Sequence, residues 1–194
     1  REEHGHVVVE VYPLPRSTGF SFESRVSGGS VPKEYIPAVE KGVRKSMEEG
    51  VIAGFPLVDV GVALLDGSSH PVDSSGASFE IAGSMALKKG VSEARPTLLE
   101  PVMHVTIMTP DDMAGAVMGD LNTRRSQIIG MTPRGDGTTI IEAAVPQAML
   151  LRYATELRSI TQSRAMFSAK FLRYAEVPRL ETEKIVTRLK QTAG

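Results

Sequence analysis

The stretch Leu64-Leu65-Asp66-Gly67-Ser68-Ser69-His70-Pro71-Val72-Asp73-Ser74-Ser75 joins two different periodic patterns. Apolar residues alternate over 58–64, as in a half-buried strand, and an apolar pattern of helical period starts at Ala77. Within the stretch, Asp66-Gly67 is typical of a turn and Asp73-Ser74-Ser75 is typical of a helix start. The stretch therefore predicts a strand that ends near residue 65, then an exposed polar loop, then a helix.

A loop at the end of a strand is a common place for functional side chains, because a rigid sheet holds it. The candidate residues of this loop are Asp66, Gly67, Ser68, Ser69, His70 and Asp73. The pattern alone favours a plainer alternative, a polar connection with no function. A hydrolytic arrangement of His70 with the two aspartates and a serine is a further alternative. It is disfavoured because the chain has no Gly-x-Ser-x-Gly nucleophile elbow.

The composition excludes several classes of protein. The chain has 194 residues, of which 41% are hydrophobic and 23% charged, which is ordinary for a globular protein. It has no cysteine, so disulfides, thiolate metal sites and a cysteine nucleophile are excluded. His4, His6, His70 and His104 lack metal-binding helical spacing, so we expect no zinc site. No apolar run approaches the roughly 20 residues that span a bilayer, and no signal-peptide pattern is present.

The formal net charge of −1 gives no overall electrostatic attraction to nucleic acid. A polyanion-binding surface would need local clusters, and the candidate cations are Arg124, Arg125, Arg134, Arg152, Arg158, Arg164, Lys170 and Arg173. Gly28-Gly29 and Gly135-Asp136-Gly137 lack the spacing of a phosphate-binding loop, so we expect no bound nucleotide. The sequence therefore predicts binding rather than catalysis, and small sheets packed with helices commonly contact RNA.

A break in the pattern at Arg95-Pro96-Thr97 predicts a domain boundary, with domains over 1–95 and 96–178 and a C-terminal helix or tail over 179–194. The first domain has the predicted order β-β-α-β-α. Its strands are predicted over 6–12, 20–26 and 57–65, and its helices over 32–50 and 77–91. The second helix is expected to place Phe79, Ala82, Met85 and Ala86 inward, and Gly83 to mark a close approach.

The second domain has the predicted order β-α-β-β-α-β, which is the ferredoxin-like plan. Its strands are predicted over 98–108, 127–132, 138–145 and 165–174. Thr109-Pro110-Asp111-Asp112 predicts a helix start with a threonine cap, and Pro146 opens the second helix. Pro133–Gly137 predicts a hairpin turn. The fold class is therefore α+β, with two small α/β sandwich domains.

Two adjacent arginines, Arg124 and Arg125, follow the first predicted helix of the second domain. Cations at this position complement the negative end of a helix dipole. Guanidinium groups also bind phosphate in a bidentate manner, so the pair could equally form a phosphate clamp. The residues alone leave both interpretations open.

Many short motifs follow one another in a familiar order. They include Leu14-Pro15-Arg16, Gly54-Phe55-Pro56-Leu57-Val58-Asp59, Asp66–Ser75, Phe79–Ala86, Leu99–Met103, Gly119-Asp120-Leu121-Asn122 with Arg124-Arg125, Ile129-Gly130-Met131 and Tyr153–Ser159. Over residues 5–178 the chain resembles the fourth and fifth domains of translation elongation factor G. That family consists of ribosome-dependent translocation GTPases.

The resemblance implies a ribosomal-protein-S5-like first domain that enters the decoding A site behind the moving tRNA, with His70 at its tip. It implies a second domain that contacts large-subunit RNA, with candidate contacts at Arg124, Arg125, Gln127, Arg134 and Arg158. The implied partners are the ribosome and tRNA–mRNA, with a cytoplasmic monomer and no membrane. GTP and magnesium would belong to an N-terminal domain outside these residues, so we expect no cofactor and no enzyme activity here.

Three departures from the family pattern are visible. A basic, glycine-rich loop usually precedes the first strand, whereas this chain has Arg1-Glu2-Glu3-His4-Gly5. Leu150-Leu151-Arg152 and Ser163-Arg164-Ala165 replace common glycine-containing motifs. A divergent member that acts in ribosome recycling or protection is therefore an alternative. A free-standing RNA-binding protein and a hydrolase are alternatives from other classes.

Overall fold

The computed structural model describes residues 5–194, so the acidic segment at Glu2-Glu3 lies outside the described residues. The chain divides into two compact units. One contains the residues up to Pro96 together with 182–194, and the other contains 97–181. Each unit combines a small sheet with helices, which confirms the predicted α+β class.

The first unit is a three-stranded sheet with two helices. Strands β1 (Gly5–Pro13), β2 (Phe20–Ser24) and β3 (Val60–Ser69) lie in the order β1-β3-β2. Strand β3 is antiparallel to β1 and parallel to β2. Helices α1 (Ile36–Glu49) and α2 (Gly76–Glu93) follow β2 and β3. This is the predicted β-β-α-β-α order.

Close packing of α1 against α2 depends on glycine. A Cβ atom on Gly83 would lie 2.5 Å from the carbonyl oxygen of Val39, so the predicted close approach is confirmed. Val39, Phe79 and Leu87 are fully buried beside this crossing. The prediction that Met85 points inward was wrong, since Met85 is 66% exposed. The buried stripe of α2 follows i, i+4 spacing through Phe79, Gly83 and Leu87.

The second unit has the ferredoxin-like arrangement. Its strands are β4 (Leu99–Pro110), β5 (Gln127–Pro133), β6 (Thr138–Pro146) and β7 (Met166–Glu176), in the order β5-β6-β4-β7. Every neighbouring pair is antiparallel. Helices α3 (Ala114–Asn122) and α4 (Tyr153–Thr161) connect the strands. Helix α5 (Arg179–Thr192) follows β7 in sequence, and its residues from Thr182 onward belong to the first unit. The core includes Val105, Ile107, Leu121, Ile141 and Leu157.

The start of α3 differs from the prediction. Thr109 is buried within β4, and its hydroxyl donates to the carbonyl oxygen of Pro110 at 3.3 Å. A short 3-10 turn over Asp111–Met113 comes first, and α3 then begins without a side-chain cap. The predicted threonine cap was therefore wrong. The hairpin between β5 and β6 lies where the Pro133–Gly137 motif predicted it.

Candidate nucleic-acid interface

The polar loop of the first unit is shorter than predicted. Strand β3 continues to Ser69, because it pairs with β1 in a register that joins Gly5 to Ser69. Asp66, Gly67, Ser68 and Ser69 are therefore strand residues and not loop residues as predicted, whereas their functional role stays a prediction. The register between β1 and β3 shifts just before this segment, because Val8 pairs with Asp66 whereas Val9 pairs with Leu64.

Gly67 lies in a strand, where glycine allows the backbone of His6 and the side chain of Val31 to approach closely. A Cβ atom at this position would lie 2.5 Å from Val31 Cγ2 and would also collide with the carbonyl oxygen of His6. Any side chain would push β1 and β3 apart at this point. The Asp-Gly pair looked like a turn because the contact that demands glycine is distant in sequence.

The loop itself runs from His70 to Ser75 and is tightly closed. The His70 N–H donates to Ser74 Oγ at 2.7 Å, and the Ser74 N–H donates to the His70 carbonyl at 3.1 Å. Ser75 then caps α2: its hydroxyl accepts from the Ser78 N–H at 3.1 Å, and the Ser78 hydroxyl accepts from the Ser75 N–H at 3.0 Å. The predicted helix start is confirmed, and it anchors one end of the loop.

His70 is presented to solvent on this loop. Its side chain is 56% exposed, and its Nδ1 atom lies 3.2 Å from Asp73 Oδ2. The Val72 N–H also points at Nδ1, at a longer N···N distance of 3.4 Å. The Nδ1 edge of the ring thus faces the loop's own groups.

Asp66 belongs to a different local group. The backbone N–H of Gly67 lowers its pKa, with smaller contributions from the Ser30 hydroxyl and from His6. Strand β3 holds Asp66, whereas the following loop pairs His70 with Asp73. The structure therefore separates the two aspartates of the hydrolytic alternative into two local groups.

Arg124 in the second unit is a structural residue. Its side chain is 9% exposed and stacks over the Tyr153 ring, 4.7 Å from the centroid. Nε donates to Asp120 Oδ2 at 2.8 Å, Nη1 donates to the Met149 carbonyl at 2.7 Å, and Nη2 donates to Glu156. The guanidinium is occupied within the unit, so we correct its assignment as an RNA contact.

Arg125 is only partly available. It makes a bidentate pair with Glu100, with N···O distances of 2.6 and 3.1 Å. A bound phosphate would have to compete with this carboxylate. The two adjacent arginines are therefore not an unoccupied phosphate clamp. Each pairs with carboxylates of its own unit, which is more than complementing the negative end of a helix dipole.

The other candidates of the second unit are exposed. Gln127 opens the edge strand β5, and Arg134 lies in the β5–β6 hairpin, where its Nε is 4.0 Å from Asp136 Oδ2. Arg158 is exposed on α4. These residues can reach a partner without breaking a buried ion pair.

The hydrogen-bond partners that decide these roles were not predicted from the sequence. Asp120 lies four residues before Arg124 on the same helix, so i, i+4 pairing could have been read from the sequence. Glu156 and Met149 come from a distant segment and left no local signal. Ser74 was recognised as part of a helix start, but its closing bonds to His70 were not.

Two further observations concern the described residues only. Within 5–194, no group of three or more histidine, aspartate or glutamate side chains is arranged to hold a metal ion. None of the helices in this part of the chain is long and apolar enough to cross a membrane.

Comparison with known proteins gives the family. Residues 1–95 match the family described as elongation factor G, domain IV, and residues 97–185 match elongation factor G C-terminus. Elongation factor G from Aquifex pyrophilus is 50% identical over 186 residues, which cover 96% of this chain and 26% of that protein. The chain belongs to the elongation factor G family and spans about a quarter of the length of this relative.

A solved structure shares the fold of this chain. A crystal structure of a protein from Thermus thermophilus aligns with a TM-score of 0.79 and 36% identity. The alignment covers 95% of this chain and 27% of that chain. The fold is therefore shared along nearly the whole of the present sequence.

Proposed function

We propose that this chain is the ribosome-facing part of a translocation factor. In this proposal the first unit enters the ribosomal A site and promotes movement of tRNA and mRNA, while the second contacts ribosomal RNA. The observation that carries the proposal is the closed His70–Ser75 loop, which holds an exposed histidine at one end of a sheet. An imidazole can stack on bases or hydrogen-bond to RNA without the general affinity of a lysine cluster.

The proposed contacts of the second unit are Gln127, Arg134 and Arg158, with Arg125 as a partly paired fourth. Arginine is well suited to phosphate because its planar donors match phosphate oxygens. The near-neutral net charge of −1 favours a part that binds and leaves the ribosome repeatedly. We propose that the factor acts as a monomer in the cytoplasm, where its ribosomal partner is found.

The GTPase activity of the family is assigned elsewhere. The chain carries no phosphate-binding glycine motif for GTP and magnesium. We place both in the part of the longer relatives that this chain does not span. In this chain the proposed work is binding and mechanical.

Ribosome binding tests the contact surface. The chain is sedimented with ribosomes over a series of salt concentrations, as the unchanged protein and with Arg134→Ala plus Arg158→Ala. We expect weaker binding. We also expect the slope of the logarithm of the binding constant against the logarithm of the salt concentration to be flatter by about two, roughly one for each lost phosphate contact.

The matched control removes two arginines that are paired within the first unit. Arg25 bonds Glu23 at 2.6 Å, and Arg44 bonds Glu40 at 2.9 Å. Arg25→Ala plus Arg44→Ala changes the net charge equally, and we expect a smaller change of slope. Equal losses in the two double variants would contradict the assigned surface.

A further inference from the structure

Two neighbours compete for one atom of His70. The Asp73 carboxylate, 3.2 Å from Nδ1, can only accept a hydrogen from the ring while it is ionised. The Val72 N–H, 3.4 Å from the same Nδ1, can only donate to it. A neutral imidazole carries its proton on one nitrogen, so the loop cannot satisfy both neighbours.

The distances and charges favour the carboxylate. A separation of 3.4 Å lies beyond the usual range for N–H donors, whereas hydrogen bonds to a charged acceptor are shorter and stronger. A bare Nδ1 would also place its lone pair against the carboxylate oxygens.

We infer that Asp73 is a positioning residue that holds the His70 proton on Nδ1 and leaves Nε2 as the outward, hydrogen-bond-accepting atom. Free histidine in water prefers the opposite tautomer, with the proton on Nε2. The serine closure of the loop supports the arrangement, since Ser74 fixes the backbone between the two side chains.

The tautomer determines what the loop can recognise. A bare Nε2 accepts a hydrogen bond, so its partner must be a donor such as a ribose 2′-hydroxyl. This consequence rests on the proposed function, whereas the tautomer itself does not. Protonation of the ring would add a hydrogen at Nε2 and leave the Asp73 contact in place.

The second unit provides an internal comparison. His104 contacts Glu142 through Nε2, at 3.1 Å, instead of through Nδ1. The same carboxylate argument therefore gives the opposite tautomer for His104, with the proton on Nε2. Both histidines are present in one sample, so each serves as the reference for the other.

Long-range ¹H–¹⁵N NMR spectra of the chain measure both tautomers directly. They are recorded at about pH 8.5, where a reference imidazole is neutral, and His70 is assigned from the His70→Gln variant. We expect Nδ1–H for His70 and Nε2–H for His104. Asp73→Ala should lower the His70 ratio of Nδ1–H to Nε2–H at least about twofold, with His104 unchanged.

Two results would overturn the inference. One is a His70 that carries its proton on Nε2 in the unchanged chain, because the Val72 N–H would then have prevailed. The other is an Asp73→Ala spectrum that keeps Nδ1–H on His70. Neither measurement involves ribosomes, so failure here would leave the proposed function standing, and loss of the proposed function would leave the tautomer intact.

Discussion

The loop at His70 and the cluster at Arg124 both place a nitrogen-containing side chain beside a carboxylate, but only the loop leaves that side chain exposed. In the loop, backbone and serine groups close the turn, and the histidine remains 56% exposed. In the cluster, Asp120, Glu156 and a carbonyl surround a guanidinium that is 9% exposed. A nitrogen-containing side chain near a helix end therefore indicates binding only when its own unit leaves it exposed.

The largest expected effect is on the buried cluster. Arg124→Ala leaves the Asp120 and Glu156 carboxylates without their shared cation and removes a stack on Tyr153. We expect the free energy of unfolding to fall by about 3 kcal/mol, measured by urea denaturation followed by circular dichroism.

The exposed Arg158 of the same unit is the matched control. Arg158→Ala should change the free energy of unfolding by less than about 0.5 kcal/mol. Similar losses for the two variants would mean that Arg124 is no more structural than an ordinary surface arginine.

A smaller loss in the free energy of unfolding is expected for a substitution at Gly67 in β3. Gly67→Ala places a methyl group against Val31 and the His6 backbone, which strains the pairing of β1 with β3. We expect a loss of about 2 kcal/mol in the free energy of unfolding. The measurement is the same urea titration.

Gly130 in β5 is the control for this change, because a Cβ atom there meets nothing within 4 Å. Gly130→Ala should stay within about 0.5 kcal/mol of the unchanged chain. If both glycine variants were equally stable, Gly67 would not be needed for close strand packing, and the end of β3 would need another explanation.

Most elements could be predicted from local patterns. The Asp73-Ser74-Ser75 cluster predicted the start of α2, and Pro133–Gly137 predicted the hairpin, because caps and turns depend on neighbouring residues. The small residue at Gly83 marked the helix crossing. The prediction that Pro146 opens a helix was wrong, because Pro146 ends β6 and a 3-10 turn over Gln147–Leu150 comes before α4.

Two errors at the candidate site arose from contacts between distant segments. Gly67 looked like part of a turn because its pairing with β1 is invisible in a short window. Arg124 looked available because Glu156 and Met149 lie more than 20 residues away in sequence. The roles of His70, Gln127, Arg134 and Arg158 stay predictions that ribosome experiments can test.

The central claim is that the His70 loop acts in translocation and not in GTP hydrolysis. The most direct measurement uses Aquifex pyrophilus elongation factor G in which this chain replaces its 50%-identical counterpart. Single-turnover translocation and GTP hydrolysis are compared for the unchanged chimera and for His70→Ala, with His104→Ala as the histidine control.

We expect His70→Ala to slow translocation about tenfold, which corresponds to the loss of one base-stacking or hydrogen-bonding contact. The rate of GTP hydrolysis in His70→Ala should stay within about twofold of the rate in the unchanged chimera. His104→Ala should change neither the translocation rate nor the hydrolysis rate. Unchanged translocation in His70→Ala would contradict the account. So would a loss of hydrolysis with normal translocation per turnover, because the loop would then serve the GTPase cycle.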